Sequence, residues 1–462
     1  MANSRFISRL KRAVGAQGVQ EASDLAGRDS GIDGANLDAG LAVAPKSTQE
    51  IAQVLALCHE HGVAAVPQGG LTGLAGAAAT VPGQLIISTG RLNREIDIDP
   101  TGGTALVDAG VTLEALNDAA RPFGLSAGID IGSRGTATIG GMLATNAGGG
   151  EAFRNGVMRH RLLGLEAVTA TGTVMSDLKR VAKANEGLDV KQLFVGSEGT
   201  LGIITRAVLK LEAFRADDAT ALVGCETAAQ ASAVLSALRA SPSCELCRAE
   251  IMWHNFATVS AADLGLSSLL SFADCPVYVI FEVTLLPSAN DDFAGILTDA
   301  MEEAGVEDAI IAQSERERAD MWRIREDSWT IQRQHPHGFW FDVSVPQARI
   351  DDYLGEVNAR MKQVDPALLV FVMGHLGDGN LHFTITKGVP LDADYPAVSD
   401  AVYDGLSEMG GSFSAEHGIG TEKKSALAAR CDPGKMEMMA AIKHALDPKG
   451  IMNPGKVFDQ II

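Results

Sequence analysis

Glycine is spread unevenly along this 462-residue chain, and that unevenness limits what the chain can build. Fifty glycines amount to about 11% of the residues, against a usual ~7%. They gather at residues 69–83, 128–150, 196–202 and 374–379, with a smaller group at 410–420. None of these stretches is low in complexity. Such clusters mean that backbone turns sharply or is brought close to something.

Between the clusters the sequence reads as short strands and helices, an α+β pattern. Ser47 or Thr48 caps a helix with apolar positions at Ile51, Val54, Leu55 and Cys58, and Gly62 ends it. Val63–Val66 is a short buried strand that runs into the first glycine loop, and Leu85–Ser88 is the next strand. Val107–Leu113 leads into a helix over about 113–121. Residues 133–149 are small and almost uncharged. Leu162–Thr171 and 207–211 read as strands, and the stretch 193–205 between them as a glycine-containing loop. After about residue 215 glycine thins out, and Ala-, Ser- and Asp-rich helices alternate with strands such as Val277–Leu285. The expected organisation is a first domain over 1–215, a second over 216–412 and a C-terminal segment, 413–462, that regains the character of the first. No internal repeat with a period of 20–50 residues is present.

Charge and cysteine usage exclude several classes of function. With 58 acidic and 38 basic side chains the net charge is −20, which argues against a nucleic-acid partner and against docking on anionic lipid through a basic surface. Hydrophobic and charged fractions of 46% and 21% suit an ordinary globular enzyme. Six cysteines in so long a chain do not make a disulfide framework. Cys244-Glu-Leu-Cys247 has redox or zinc spacing but no second pair, and reads as half-buried thiols in a reducing cytosol. No apolar run reaches the ~18 residues of a membrane span. Arg5, Arg9, Lys11 and Arg12, with no acid before Glu21, resemble a weak transit peptide. The helical spacing of Phe6, Leu10 and Val14 favours a short amphipathic helix instead. The expected location is cytoplasmic, with a peripheral membrane position as the alternative.

The loop after the first strand, 67–78, has glycines at 69, 70, 73 and 76 with Thr72 among them. Its backbone N–H groups suit a pyrophosphate. It is not a Walker A loop and lacks G-x-G-x-x-G spacing. Three glycine loops within 140 residues fit one extended, mostly uncharged ligand touching all of them.

At this point the residues carry a resemblance. Pro67-Gln-Gly-Gly-Leu-Thr-Gly73, Ser133-Arg-Gly-Thr-Ala-Thr-Ile-Gly-Gly141, Asn146-Ala-Gly-Gly149 and Gly196-Ser-Glu-Gly-Thr-Leu-Gly-Ile-Ile-Thr205 resemble the FAD-contacting segments of vanillyl-alcohol-oxidase/PCMH-type flavoproteins. Gly374-His-Leu-Gly-Asp-Gly-Asn-Leu-His382, Ser414-Ala-Glu-His-Gly-Ile-Gly420 and Asp447-Pro-Lys-Gly-Ile-Met-Asn-Pro-Gly-Lys456 resemble the branch holding D-lactate dehydrogenases, D-2-hydroxyglutarate dehydrogenases and the glycolate oxidase flavin subunit. The resemblance spans about residues 40–456. It implies a two-lobed PCMH-type FAD-binding domain plus an α+β substrate (cap) domain with an antiparallel sheet. FAD would contact Pro67, Gly69, Gly70, Leu71, Thr72, Gly73, Leu74, Ser133, Thr138, Gly140, Gly141, Asn146, Gly148, Glu198, Gly202, Ile203, Ile204 and Asn453. No His or Cys lies between Pro67 and Ala78, so the FAD is expected to be non-covalent.

His375 and His382 flank Leu-Gly-Asp-Gly-Asn380, with strand-like sequence on both sides. A tight hairpin there lets both imidazoles converge, and Glu416 would supply a carboxylate; two His and one Glu suit Zn²⁺ or Mn²⁺ with open positions. The resemblance implies that these three residues bind a divalent metal and that His417 is the general base. An imidazole near its natural pKa accepts a proton at neutral pH, and a cation acidifies a coordinated alcohol. The resemblance also places Arg325 against the substrate α-carboxylate, by bidentate pairing, with Arg323 as the competitor. Asn380 and Asp378 are turn residues or supports for the ligands, and Asn380 is also a substrate-binding candidate.

Where the related 2-hydroxyglutarate enzymes carry a threonine one helical turn after that arginine, a lysine two residues before the following strand's Asp, and an Asn two residues after the second histidine, this chain has Trp329, Trp340 and Thr384. The change from lysine to tryptophan removes a partner for a distal carboxylate and leaves an aromatic pocket. The expected substrate is therefore a D-2-hydroxy monocarboxylate, lactate-like or with a bulkier apolar side chain. The alternatives are 2-hydroxyglutarate, an O₂-using oxidase, and a flavin relay subunit in a glycolate-oxidase-like complex. No NAD motif is present, so the acceptor is expected to be a quinone, an electron-transfer flavoprotein or a cytochrome. A homodimer is the family-level expectation.

Overall fold

A computed structural model describes residues 4–214, 219–286, 292–327, 329–391 and 394–458. The chain forms two compact units. The first comprises Met1–Gly148, Asn155–Phe214 and Glu416–Ile462; the second comprises Gly149–Arg154 and Arg215–Ala415.

In the first unit, helix α1 (Ser4–Val14) buries the stripe its spacing predicted, with Phe6, Leu10 and Val14 at most 4% exposed. Its charged side faces outward, where Arg9 pairs with Glu60 at 2.6 Å and Lys11 with Glu21 at 2.9 Å. A four-stranded sheet follows, built from β1 (Val19–Glu21), β2 (Leu41–Val43), β3 (Ala65–Gln68) and β4 (Leu85–Ser88) in the order β1-β2-β4-β3. β4 runs parallel to both β2 and β3. Helix α2 (Thr48–His61) connects β2 to β3. Ser47 Oγ accepts the Glu50 N–H at 3.2 Å, and Gly62 closes the helix at φ 64°, a left-handed turn that glycine adopts without strain. Ile51, Val54, Leu55 and Cys58 are fully buried on its inner face, where burial pushes the Cys58 thiol up to about 12.

A second sheet in this unit is antiparallel throughout. Its strands β5 (Ile96–Asp99), β6 (Thr104–Asp108), β7 (Leu162–Thr169), β8 (Val174–Asp177) and β9 (Gly202–Lys210) take the order β5-β6-β9-β7-β8. β9 begins at Gly202, five residues before the strand expected at 207–211. Ile203 and Ile204 pair with Val168 and Ala167, and both are buried. Gly202 is the residue that hid this start: glycine disfavours strands, yet a Cβ here would meet Val168 O at 2.5 Å, so the close pairing requires it.

Glu166 on β7 ties this sheet to α2. Its Oε1 accepts from Thr48 Oγ1 at 2.6 Å, Thr205 Oγ1 at 3.0 Å and Arg206 Nε at 3.0 Å; its Oε2 accepts from Arg206 Nη2 at 2.9 Å. Burial alone would raise its pKa, but these donors win and hold it at about 2.

The tail returns to the first unit as a helix, Pro433–Leu446, and a fixed strap. Lys443 Nζ donates to Thr200 O at 2.7 Å, Asp447 Oδ2 at 2.6 Å and Met452 O at 2.8 Å. Lys456 Nζ donates to Ala79 O at 2.7 Å.

The second unit is built on a seven-stranded sheet, antiparallel at every pairing. Its strands are β10 (Ala219–Cys225), β11 (Cys244–Trp253), β12 (Val277–Leu285), β13 (Asp308–Ile311), β14 (Phe339–Ser344), β15 (Leu369–His375) and β16 (Asn380–Thr386), in the order β13-β10-β12-β11-β15-β16-β14. On one face of the sheet, Met252, Tyr278, Ile280 and Phe371 pack with the helical residues Phe256, Met321, Ile324 and Ile331. α4 (Glu315–Glu326) and α5 (Trp329–Gln334) belong to this layer, numbered after α3 (Ile139–Thr145) of the first unit. The sequence reading set Trp329 one helical turn beyond Arg325. In the structure α4 ends at Glu326, Asp327 leaves the helical region at ψ 67°, and Trp329 opens a new helix. Cys244 and Cys247 are buried in β11, as plain strand residues.

Candidate functional site

The glycine loops of the first unit line one cleft of ≈ 280 Å³. β3 delivers the loop from Pro67, α3 backs it, and the start of β9 closes it with Gly202, Ile203 and Ile204. Sixteen of the eighteen FAD-contact candidates are on its wall: Pro67, Gly69–Leu74, Ser133, Thr138, Gly140, Gly141, Gly148, Glu198, Gly202, Ile203 and Ile204. Two are not. Asn146 sits at φ 54° at the end of α3 and accepts the Arg159 N–H at 2.9 Å. Asn453, at φ 42°, donates from Nδ2 to Ala77 O at 3.0 Å and Glu198 O at 2.7 Å. Both shape the wall from behind. The cleft is also lined by Thr89, Ile131, Met142 and Thr145, whose side chains carry no motif that a sequence reading could use, and by Glu416 and His417.

The wall fits a dinucleotide flavin. Among the described residues no Lys or Arg lines it, so an anionic pyrophosphate would be met by backbone N–H groups. The glycines are needed for backbone to meet backbone: a Cβ on Gly70 would lie 2.0 Å from Thr136 O, and one on Gly69 would lie 2.5 Å from Thr138 Oγ1. Leu71, the next residue, holds φ 56°, a sharp turn directly after them. Glu198, although on the wall, turns its carboxylate to the Ile419 and Gly420 N–H groups at 2.7 and 2.8 Å, which fastens the 416–420 segment to the cleft. Its burial raises its pKa.

The second unit carries a separate constellation at the β15–β16 hairpin. His375 pairs with Asn380 across it, and the His375 and His382 rings lie 5.3 Å apart, centroid to centroid, at 86°. Each histidine has a carboxylate beside Nδ1. Glu250 Oε1 is 2.8 Å from His375 Nδ1, and Asp342 Oδ1 is 3.6 Å from His382 Nδ1. A carboxylate behind Nδ1 turns Nε2 outward, the usual support for a metal-ligating imidazole. Asp342 is fully buried, and takes the Asn380 Nδ2 donor at 2.8 Å and the Ala415 N–H at 3.1 Å. Asn380, 3% exposed, gives its second amide proton to Val343 O at 2.9 Å, so it supports Asp342 and is shut away from solvent. Asp378 Oδ1 accepts the Asn380 N–H at 3.2 Å and shapes the turn.

Arg325, 7% exposed on α4, places Nη2 2.7 Å from Glu250 Oε2, while its buried Nε has no partner. Arg323 faces outward and pairs with Asp320 at 2.9 Å. Glu250 was not singled out from sequence. It lies 125 residues from His375 in an apolar strand, and burial, which alone would raise its pKa, is outweighed by His375 and Arg325. Trp329 and Trp340 meet edge to face at 5.5 Å, 50% and 42% exposed. Trp340 pairs across the sheet with Thr384, two residues along β14 from Asp342.

Comparison with known proteins agrees with both units. The "FAD binding domain" family matches residues 39–177, and "FAD linked oxidases, C-terminal domain" matches 215–457. D-2-hydroxyglutarate dehydrogenase of Xanthomonas citri pv. viticola is 36% identical over 430 residues, covering 91% of this chain and 89% of that one. The mitochondrial D-2-hydroxyglutarate dehydrogenase of Bos taurus is 35% identical over 415 residues, covering 89% and 76%. The fold is shared with p-cresol methylhydroxylase (TM-score 0.74, 18% identity, 98% of this chain and 96% of that one). It is also shared with 4-ethylphenol oxidase from Gulosibacter chungangensis (0.74, 17%, 98% and 97%). Among the described residues no helix is long and apolar enough to cross a membrane. With PCMH-type architecture, an FAD cleft and relatives of this identity over most of its length, the chain belongs to the FAD-linked D-2-hydroxyacid dehydrogenase family and is an FAD-dependent oxidoreductase.

Proposed function

We propose that the protein oxidises a D-2-hydroxyacid to the 2-oxoacid and prefers a monocarboxylate with a lactate-like, apolar or aromatic side chain. The observation that carries the chemistry is the buried Arg325, its Nε unpartnered, joined through Glu250 to His375. A guanidinium in that state fits a substrate α-carboxylate. FAD, bound non-covalently in the cleft, supplies the two-electron acceptor for the Cα hydride. His417, on the cleft wall, takes the hydroxyl proton. The motif resemblance assigns His375, His382 and Glu416 to a divalent ion, Zn²⁺ or Mn²⁺, which would acidify the substrate hydroxyl. A quinone, an electron-transfer flavoprotein or a cytochrome reoxidises the enzyme.

The side-chain preference rests on Trp329 and Trp340. They offer an aromatic corner on the same sheet face as His382, and Arg333, the nearby cation on α5, is engaged by Asp263 and Asp327, each at 2.6 Å. A second reading, 2-hydroxyglutarate, is favoured by the names of the relatives. Anaerobic bleaching of the flavin band near ~450 nm by the isolated, metal-replete chain separates them. Faster bleaching by D-lactate, D-mandelate or D-phenyllactate than by D-2-hydroxyglutarate or D-malate supports the proposal. Bleaching by the dicarboxylates alone establishes the second reading, and no bleaching by any acid points to a relay subunit.

A further inference from the structure

We infer that Glu250 is a positioning residue for this reaction, a single carboxylate that sets both the metal-side histidine and the substrate-side arginine. The inference rests on the proposed function above. Glu250 is 3% exposed at the centre of the sheet, in register with His375 on β15. One oxygen meets His375 Nδ1 at 2.8 Å and the other meets Arg325 Nη2 at 2.7 Å, so the side chain reaches from the sheet to helix α4. The backbone is shaped to keep it there: Gly150 passes so close that a Cβ on it would come within 3.0 Å of Glu250 Oε1.

Each contact has a chemical effect. With Nδ1–H donated to a carboxylate, the neutral imidazole presents the Nε2 lone pair to an ion. With Nη2 ion-paired to Oε2, the guanidinium is kept beside Glu250 and its charge can attract a substrate carboxylate. Only a carboxylate does both, as a hydrogen-bond acceptor toward His375 and a negative charge toward Arg325. A glutamine has one acceptor and one NH₂, and that NH₂ would face a donor on whichever side it took. The two functions are therefore set together by one charge.

The test uses the FAD-loaded full chain in two assays, Zn²⁺ affinity by chelator competition without substrate, and KM for the preferred D-2-hydroxyacid. E250Q is expected to weaken Zn²⁺ binding by about 10–100-fold and to raise KM about tenfold, at unchanged FAD content. If E250Q fails to retain FAD, E250D takes its place: the charge stays but one methylene of reach is lost, and both constants are expected to move in the same directions. H375A separates the two levels. Zn²⁺ affinity like that of wild type in H375A overturns the metal assignment and this inference with it. Affinity lost in H375A but retained in the Glu250 variant, with KM also unchanged, overturns the inference alone.

Discussion

Replacing Glu166 with glutamine tests whether one buried ion pair fixes the first unit. Glu166 holds α2, β7 and β9 together through Thr48, Thr205 and Arg206. Its pKa falls from an ordinary 4.5 to about 2, which at ~1.36 kcal/mol per pH unit is about 3 kcal/mol. The carboxylate is nearly buried, so solvent screening removes little of this. Glu95, 3.4 Å from Arg206 Nη1, keeps part of the cation's compensation in the variant and lowers the expected loss to about 2–3 kcal/mol. At roughly 2–4 °C per kcal/mol for a unit of this size, E166Q should melt roughly 5–10 °C lower at pH 7. Release of FAD, followed by flavin fluorescence during heating at fixed FAD concentration, reports on the first unit specifically. The sign with pH is fixed: a depressed carboxylate stabilises fully above about pH 4.5, and the contribution drains away as pH falls toward about 2. The gap between wild type and variant should narrow over that window. A shift under 2 °C at pH 7, or a gap that stays constant on acidification, refutes the reasoning.

Gly70→Ala should cost at least tenfold in FAD affinity, because its Cβ would lie 2.0 Å from a backbone oxygen that cannot move aside cheaply; the ratio of flavin to protein absorbance after gel filtration measures it. Trp340→Lys should raise the kcat/KM ratio of D-2-hydroxyglutarate over D-lactate by roughly 10–100-fold, the worth of one charge-assisted contact, and steady-state kinetics on both acids decide it.

The cleft was legible in sequence because its function is carried by backbone. Where glycine is the only residue that fits, the requirement is written into the residue type, as at Gly69 and Gly70. Asn146 and Asn453 lie off the wall, and a left-handed asparagine beside a glycine motif looks the same in sequence whether it touches a ligand or holds the loop that does. The hairpin with His375 and His382 was equally readable, its turn residues lying between two strand-like runs. Glu250 was not, because no local pattern distinguishes it from any acid in an alternating strand. Its role comes from a strand pairing that joins residues 125 apart. The early start of β9 was hidden by a glycine whose reason lies on the neighbouring strand.

The strap formed by Lys443, Asn453 and Lys456 also has a meaning for synthesis. It anchors carbonyls at Ala77, Ala79, Glu198 and Thr200, residues made long before it, and the larger part of the second unit, 215–415, is translated in between. A ribosome partway along this message therefore carries glycine loops without their backing. Among the described residues the second unit has all of its strands by residue 386. The backing of the flavin cleft is in place only once residues 443–456 have been made, so tight cofactor capture follows the synthesis of the second unit.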